Sequence, residues 1–214
     1  MFKIVSLSLF LLALPIEALR LLPLSNLITS HFSKSRALGT ITAGLFLIQF
    51  AQVAGAEGIV TKEYSNARYH TKISYPAAWD VKEGRVSGDR TVQAFVDPED
   101  AETNASIVFS PIPADYNRLS AFGGKERLRD YMIPRGDDIE TSVISETVKG
   151  ESYAVEYVVT LPEGVQRHVQ TVFALRPQDA IVGVTVQTRE SSFEKNKDKL
   201  AVILPSLRID VHVD

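Results

Sequence analysis

The chain of 214 residues contains no cysteine. This absence excludes disulfide bonds, zinc sites with cysteine ligands, iron–sulfur clusters and catalysis by a thiol. The chain also lacks a nucleophile elbow, a His-Glu-x-x-His motif and a glycine-rich phosphate loop, which are local signatures of several large enzyme classes. The sequence therefore offers no catalytic or cofactor-binding residue, and we expect a protein that is not an enzyme.

Acidic residues are absent from the segment between Arg20 and Arg36, which is rich in basic and hydroxyl side chains. Such a composition is typical of plastid transit peptides. The segment lies between two apolar runs, 4–14 and 37–54, and each run follows a basic residue and ends near small residues. These features are typical of secretory signals. We therefore predict a three-part leader: a secretory signal peptide (1–18), a plastid transit peptide (19–36) and a thylakoid lumen-targeting signal (37–56).

The second apolar run allows another interpretation. As a helix, residues 37–54 would extend about 27 Å, which is close to the thickness of a bilayer core. The run would then anchor an ordinary secreted protein, with the first run as its signal peptide. The acid-free linker favours the three-part leader, but the route of the last step, Tat or Sec, is open.

The domain that remains after removal of the leader is more acidic than the whole chain. Residues 57–214 form one domain of sufficient size to bury its own core. They contain 19 basic and 25 acidic residues, a net charge of −6, whereas the whole chain has −3. Nucleic acid is therefore not an expected partner.

Strand patterns dominate the domain. In the segment 153–161, apolar residues alternate with more polar ones, and 162–164 joins it to the next strand as a hairpin. The segments 125–132 and 191–204 instead show helical spacing, and a proline follows each of them. The predicted strands are 72–75, 91–96, 104–110, 139–148, 153–161, 165–175, 179–188 and 208–213, the last as an edge strand that closes the sheet. This order predicts an α+β domain with a central, largely antiparallel sheet covered by helices.

The order of several short motifs resembles the PsbP family, the extrinsic luminal proteins of photosystem II and their relatives. The resemblance covers about residues 60 to 210. The motifs are Ile73–Trp79 (similar to the family's Tyr-Pro…Trp segment), Phe95–Pro98, Asn104–Pro111, Leu119–Met132 with its paired glycines, Arg167-His168 at the head of a strand, and Phe193 in the final helix.

The resemblance implies an α/β/α sandwich and a non-catalytic role. Family members dock on photosystem II and help to retain the calcium and chloride of its oxygen-evolving complex. PsbP-like and PsbP-domain relatives instead assist assembly or repair of thylakoid complexes. True PsbP has a basic N-terminal tail, whereas here the segment between Glu57 and Tyr69 contains only Lys62 and Arg68 as basic residues. This departure favours a PsbP-like or PsbP-domain relative over true PsbP.

One candidate metal site follows from the resemblance. His168 lies where the family has a histidine that binds metal, and the family's acidic partner falls at Arg189, with Glu190 adjacent. The resemblance therefore implies a weak zinc or manganese site at His168 and Glu190. The alternative is a strand histidine that is hydrogen-bonded to the sheet or to a carboxylate.

Calcium has a weaker candidate site, an acidic turn formed by Asp97, Glu99 and Asp100. Carboxylates suit calcium, but the turn does not have EF-hand spacing, and a solvated loop is the alternative. No tightly bound cofactor is expected, and weak binding of calcium, manganese or zinc is the most that the sequence suggests.

Basic residues cluster on and beside the first predicted helix. They would meet acidic luminal loops of a membrane complex, where charges at the rim of an interface raise the rate of encounter. The alternative is a solvated helix face with local acidic partners. The cluster comprises Lys125, Arg127, Arg129 and Arg135.

Leader and resemblance come from different parts of the chain, and both indicate the thylakoid lumen. We expect an extrinsic protein, peripheral to the thylakoid membrane, that binds luminal subunits of photosystem II or another thylakoid complex. It would stabilise the oxygen-evolving complex or assist assembly and repair. The alternative is a luminal or secreted ligand-binding domain, or an enzyme with a hidden pocket, with residues 37–54 as its anchor.

Overall fold

Ten strands and two α-helices make up the part of the chain described by the structure, a computed structural model that covers residues 58–85 and 90–210. The strands are β1 (Thr61–Asn66), β2 (Thr71–Pro76), β3 (Asp80–Arg85), β4 (Thr91–Asp97), β5 (Asp100–Pro111), β6 (Glu140–Lys149), β7 (Ser152–Thr160), β8 (Gln166–Arg176), β9 (Ala180–Arg189) and β10 (Arg208–Ile209). The helices are α1 (Gly124–Met132) and α2 (Phe193–Ala201), with 3₁₀ turns at Leu119–Phe122, Glu190–Ser192 and Leu204–Ser206. The predicted leader, 1–56, lies outside the described residues.

Seven of the strands form one antiparallel sheet in the order β3-β4-β5-β9-β8-β7-β6. A separate sheet of three strands has the order β1-β2-β10. Within the described residues, no helix is long and apolar enough to cross a membrane.

The two faces of the main sheet are covered differently. On one face, Phe95, Ile107 and Val184 pack against Ile73 of the small sheet and Leu200 of α2. The sole tryptophan, Trp79, is buried in this core. The small sheet and α2 therefore share the covering of this face.

The opposite face is covered by α1 over β7 and β8. Leu128 and Met132 of α1 pack against Tyr153, Tyr157 and Phe173. The alternation in β7 explains this arrangement, because every second residue of a strand points to the same face. The α+β class and the antiparallel sheet are thus confirmed, but helices alone do not cover the sheet.

Most predicted elements lie within a few residues of the observed ones, and three differences have physical causes. The strands β1 and β3 were not predicted, because they are exposed and polar and show no apolar alternation. The segment 208–213 was expected to close the main sheet, but Arg208 and Ile209 pair with Lys72 and Thr71 in the small sheet, and 211–213 lie outside the described residues. The second helix is shorter than predicted, with a 3₁₀ turn before it and another soon after it.

One end of α2 is held on the sheet by a buried polar network. The side-chain amide of Asn196, which is 2% exposed, donates to Thr103 Oγ1 at 2.8 Å and to Thr188 Oγ1 at 3.3 Å. The two hydroxyl groups are 2.7 Å apart, and Thr103 also donates to Asp100 Oδ2 at 2.7 Å. The network therefore joins α2 to both β5 and β9.

Substitution Asn196→Ala should lower the free energy of unfolding by about 1–3 kcal/mol, because it leaves buried hydroxyl groups with fewer partners. Denaturant unfolding would measure the loss. Lys195→Ala, an exposed change on the same helix, is the control and should shift the free energy by less than about 0.5 kcal/mol. Equal effects of the two substitutions would contradict a structural role for the network.

Candidate functional site

His168 is placed by the hairpin of β7 and β8. It lies opposite Val158 on β7 and opposite Thr188 on β9. Side chains that are directly opposite share a face of the sheet. The His168 side chain therefore lies on the face that α2 covers, and it is only 4% exposed.

Two carboxylates bind the two ring nitrogens of His168. Nδ1 lies 2.8 Å from Glu190 Oε2, and Nε2 lies 2.9 Å from Glu156 Oε1. The ring of Phe193, the first residue of α2, stacks on the imidazole with the ring centroids 3.5 Å apart. A neutral imidazole donates through one nitrogen only, so His168 donates a hydrogen bond to both carboxylates only as the imidazolium. We call His168, Glu156, Glu190 and Phe193 the His168 cluster.

The charges of the His168 cluster depend on each other. Burial lowers the pKa of His168, because it disfavours the charged imidazolium. The hydrogen bonds to Glu156 and Glu190 outweigh this effect and raise the pKa above its ordinary value of 6.5. The bond to His168 is the main cause that lowers the pKa of Glu156 below its ordinary value of 4.5. His168 therefore stabilises the fold fully below pH 6.5 and loses this contribution as the pH rises through its raised pKa. The contribution of Glu156 is present above pH 4.5 and is lost as the pH falls through its lowered pKa.

The geometry limits what a metal ion would find at His168. The two carboxylates lie on opposite edges of the ring, so they do not converge on one ion. An ion at Nδ1 would have His168 and Glu190 as ligands, whereas zinc sites in proteins use three or four protein ligands. Among the described residues, no group of three or more His, Asp or Glu side chains is arranged to hold a metal ion. Metal binding at His168 and Glu190 stays a prediction.

Sequence reasoning missed Glu156 as a partner of His168. The signal was present, because the hairpin turn at 162–164 fixes the register of β7 and β8. In that register Glu156 lies opposite Gln170 and diagonal to His168, on the same face. Gln170 Nε2 donates to Glu156 Oε1 at 2.8 Å.

Arg189 takes no part in the His168 cluster, because its side chain belongs to the other face of the sheet. It lies directly opposite Arg167, and its Nε is 3.8 Å from Glu102 Oε2. Arg167, which is 5% exposed, forms an ion pair with the same carboxylate. One carboxylate thus bridges two guanidinium groups at the end of the sheet.

The predicted docking residues on α1 have local partners. Lys125 Nζ lies 2.9 Å from Glu146 Oε1 on β6, and Arg129 lies 4.0 Å from the same atom. The Lys125 contact is the main cause that lowers the pKa of Glu146. Tyr153 donates to the other oxygen of Glu146 at 2.9 Å. These contacts attach α1 to β6 and β7.

The other two predicted docking residues form no ion pair with any described residue of the main sheet. Arg135 Nη2 contacts Asp130 Oδ1 at 2.5 Å, and Arg127 is exposed without an ion pair to any described residue. A cavity of about 300 Å³ opens between α1, the following turn and β6. We call it the α1–β6 groove; its lining residues are Arg129, Ile133, Pro134, Arg135, Gly136, Ile139, Thr141 and Val143. Docking by the four basic residues stays a prediction.

The acidic turn is solvated only in part, because Glu99 is exposed whereas Asp97 is buried. Asp97 is 2% exposed, and its Oδ2 lies 2.6 Å from Lys199 Nζ of α2. Asp97 Oδ1 accepts from the backbone N–H of Glu99, and Asp100 accepts from the backbone N–H of Glu102 and the hydroxyl of Thr103. These hydrogen bonds use oxygen atoms that calcium would need.

The fold defines the class of the protein: an α+β domain whose antiparallel sheet carries a helix on one face and a small sheet with a second helix on the other. The model of the PsbP family matches residues 60–209. The chain therefore belongs to the PsbP family.

Two relatives show how far the similarity extends. The "PsbP domain-containing protein 3, chloroplastic" of Arabidopsis thaliana is 20% identical over 169 residues, which cover 74% of this chain and 68% of the relative. The solution structure of cyanobacterial PsbP (CyanoP) from Synechocystis sp. PCC 6803 superposes with a TM-score of 0.52 at 19% identity, over 73% of this chain and 96% of that chain. The second comparison supports the fold.

Substitution His168→Gln should destabilise the protein most between about pH 4.5 and pH 6.5, where the Glu156 carboxylate and the imidazolium are both charged. The loss should shrink as the pH rises above 6.5 through the raised pKa of His168. Denaturant unfolding at a series of pH values would measure it. His70→Asn is the control, since His70 is exposed at a φ of 44° that asparagine tolerates. A loss that did not vary with pH would show that His168 is neutral in the folded protein.

Zinc and manganese titration would test the metal prediction. A weak site at His168 and Glu190 predicts that the wild-type protein binds these ions more tightly than His168→Ala does. Calorimetry would measure the two affinities. Equal binding by the two proteins would rule out a metal site at His168.

Proposed function

We propose that this chain is an extrinsic protein of the plastid thylakoid lumen, peripheral to the membrane, that docks on photosystem II or another thylakoid complex. The observation that carries the proposal is the family match, which spans nearly all of the described residues. The chloroplastic relative supports a plastid location. The predicted leader supports the lumen.

The described side chains support a docking role more than catalysis. The ionisable groups of the His168 cluster bind one another, and Phe193 stacks on the imidazole. The α1–β6 groove and a smaller cavity of about 110 Å³ beside Tyr69 are lined by none of these groups. We therefore propose a protein that acts by binding other proteins.

The start of the domain bears on which family role the chain performs. Lys62, one of the two basic residues near the predicted N-terminus of the mature domain, lies within β1 opposite Tyr75 of β2. It is thus part of the fold and not of a basic tail. This supports a PsbP-like assembly or repair factor over a subunit that retains calcium and chloride at the oxygen-evolving complex.

Fractionation of thylakoids from the source organism would test the proposal. We expect the protein in the lumen-side fraction with an N-terminus at Glu57 by mass spectrometry, and in the same native-gel band as a photosystem. A wash at about 1 M salt should release it, because such salt screens surface charges beyond about 3 Å. An intact segment 37–54 in the recovered protein would contradict the three-part leader. Absence from every thylakoid complex would favour the secreted or ligand-binding alternative.

A further inference from the structure

The strand β6 is an open edge of the main sheet. It pairs with β7 on one side, and within the described residues no strand pairs with its other side. An unpaired edge presents a row of N–H and C=O groups to which another extended chain can bind. β6 is therefore a geometric template for a further strand.

The two edges of the main sheet differ in how they are protected. The opposite edge, β3, has six residues, four of which are charged. Such charges discourage pairing with another chain. β6 has ten residues and exposes two apolar side chains, Ile144 at 55% and Val148 at 45%. Ile144 lies where the register with β7 shifts.

The α1–β6 groove lies directly beside this edge. Ile133, Ile139 and Val143 provide apolar surface, while Arg129 and Arg135 provide positive charge, and no acidic residue lines the groove. A guanidinium has five N–H donors. Arg135 uses Nη2 for Asp130, and Arg129 reaches Glu146 only at 4.0 Å, so donors remain on both residues.

The positive charge of the groove indicates that its occupant is acidic. The domain carries a net charge of −6, so a positive groove is a local exception on an acidic protein. Complementary charge favours an acidic partner and opposes a basic one at this position. The apolar residues between the two arginines require apolar side chains next to the acidic ones.

We propose that the α1–β6 groove and the free edge of β6 bind an extended acidic segment of a partner protein, which adds to the main sheet as a further strand. Carboxylates of the segment contact Arg129 and Arg135, and apolar side chains lie on Ile139, Val143 and Ile144. This inference rests on the proposed docking function and names the surface and the partner chemistry. The bound segment contributes backbone hydrogen bonds for affinity and side-chain contacts for specificity.

Peptide binding would test the groove without any thylakoid complex. Full-length precursors would be expressed in the source organism and the processed proteins purified. The probe is a fluorescein-labelled peptide of about ten residues that alternates Glu and Val, and its counterpart with Lys in place of Glu is the matched control. Fluorescence polarisation should show binding of the Glu peptide only. Arg135→Glu should weaken this binding about tenfold, the loss expected for one charge-assisted contact.

Two further variants separate the groove from general charge. Arg118→Glu makes the same change of charge at an exposed residue outside the groove, and it should leave the affinity within about twofold. Arg127→Glu tests the outer surface of α1. A loss for Arg127→Glu as large as that for Arg135→Glu, or equal binding of the two peptides, would overturn the groove as the site. Thermal melts would confirm that each variant is folded.

Cross-linking in thylakoids would identify the natural segment. A photoreactive phenylalanine at Ile144 should cross-link to an acidic segment of a partner, and Arg135→Glu in the same protein should abolish the product. Co-migration of the protein with a complex, together with cross-linking that Arg135→Glu does not change, would overturn the groove and leave the proposed function intact. Failure of co-migration would overturn the proposed function, while the peptide measurement would still decide the groove.

Discussion

The attachment of α2 across one end of the main sheet is the constraint on which the larger core depends. Phe193 stacks on His168 of β8, Asn196 bonds to Thr188 of β9 and Thr103 of β5, and Lys199 binds Asp97 of β4. These residues of α2 recur at every third position, so they share one side of the helix. The same side carries Leu200 into the core. Polar contacts to three strands and a ring stack on a fourth therefore set the position in which the apolar residues of α2 pack.

Through this attachment His168, the residue whose surroundings most resemble a catalytic or metal site, has a role in the fold. A buried histidine between two carboxylates has the composition of a catalytic or metal site. In this chain Glu156 and Glu190 lie at opposite ring nitrogens, and the aromatic ring of Phe193 covers one face of the imidazole. Each polar atom of the ring has a partner within the protein. The arrangement couples the start of α2 to the sheet and is strongest at mildly acidic pH.

The sequence predicted the parts of the fold that carry an apolar pattern. The strands β7, β8 and β9 are buried on at least one face along their length, and alternation located β7 in the sequence. The strands β1 and β3 were not predicted, because exposed strands do not need the alternation of apolar and polar residues. The same limit applies to the site: the family resemblance indicated His168 and Glu190, whereas Glu156 required the register of a hairpin. The sequence also does not show that Lys199 binds the buried Asp97, since only the tertiary structure brings residues 102 positions apart together.

Glu146 connects α1 to the edge strand beside the surface that we propose as a binding site. It lies on β6 and receives Lys125 of α1 and Tyr153 of β7, so it fixes the distance between α1 and the edge strand. The α1–β6 groove lies between the same two elements, with Arg129 at the boundary between Glu146 and the groove. The groove and the attachment of α2 thus lie at different places on the same sheet. A partner bound at β6, as proposed, would contact none of the residues that attach α2 to the sheet.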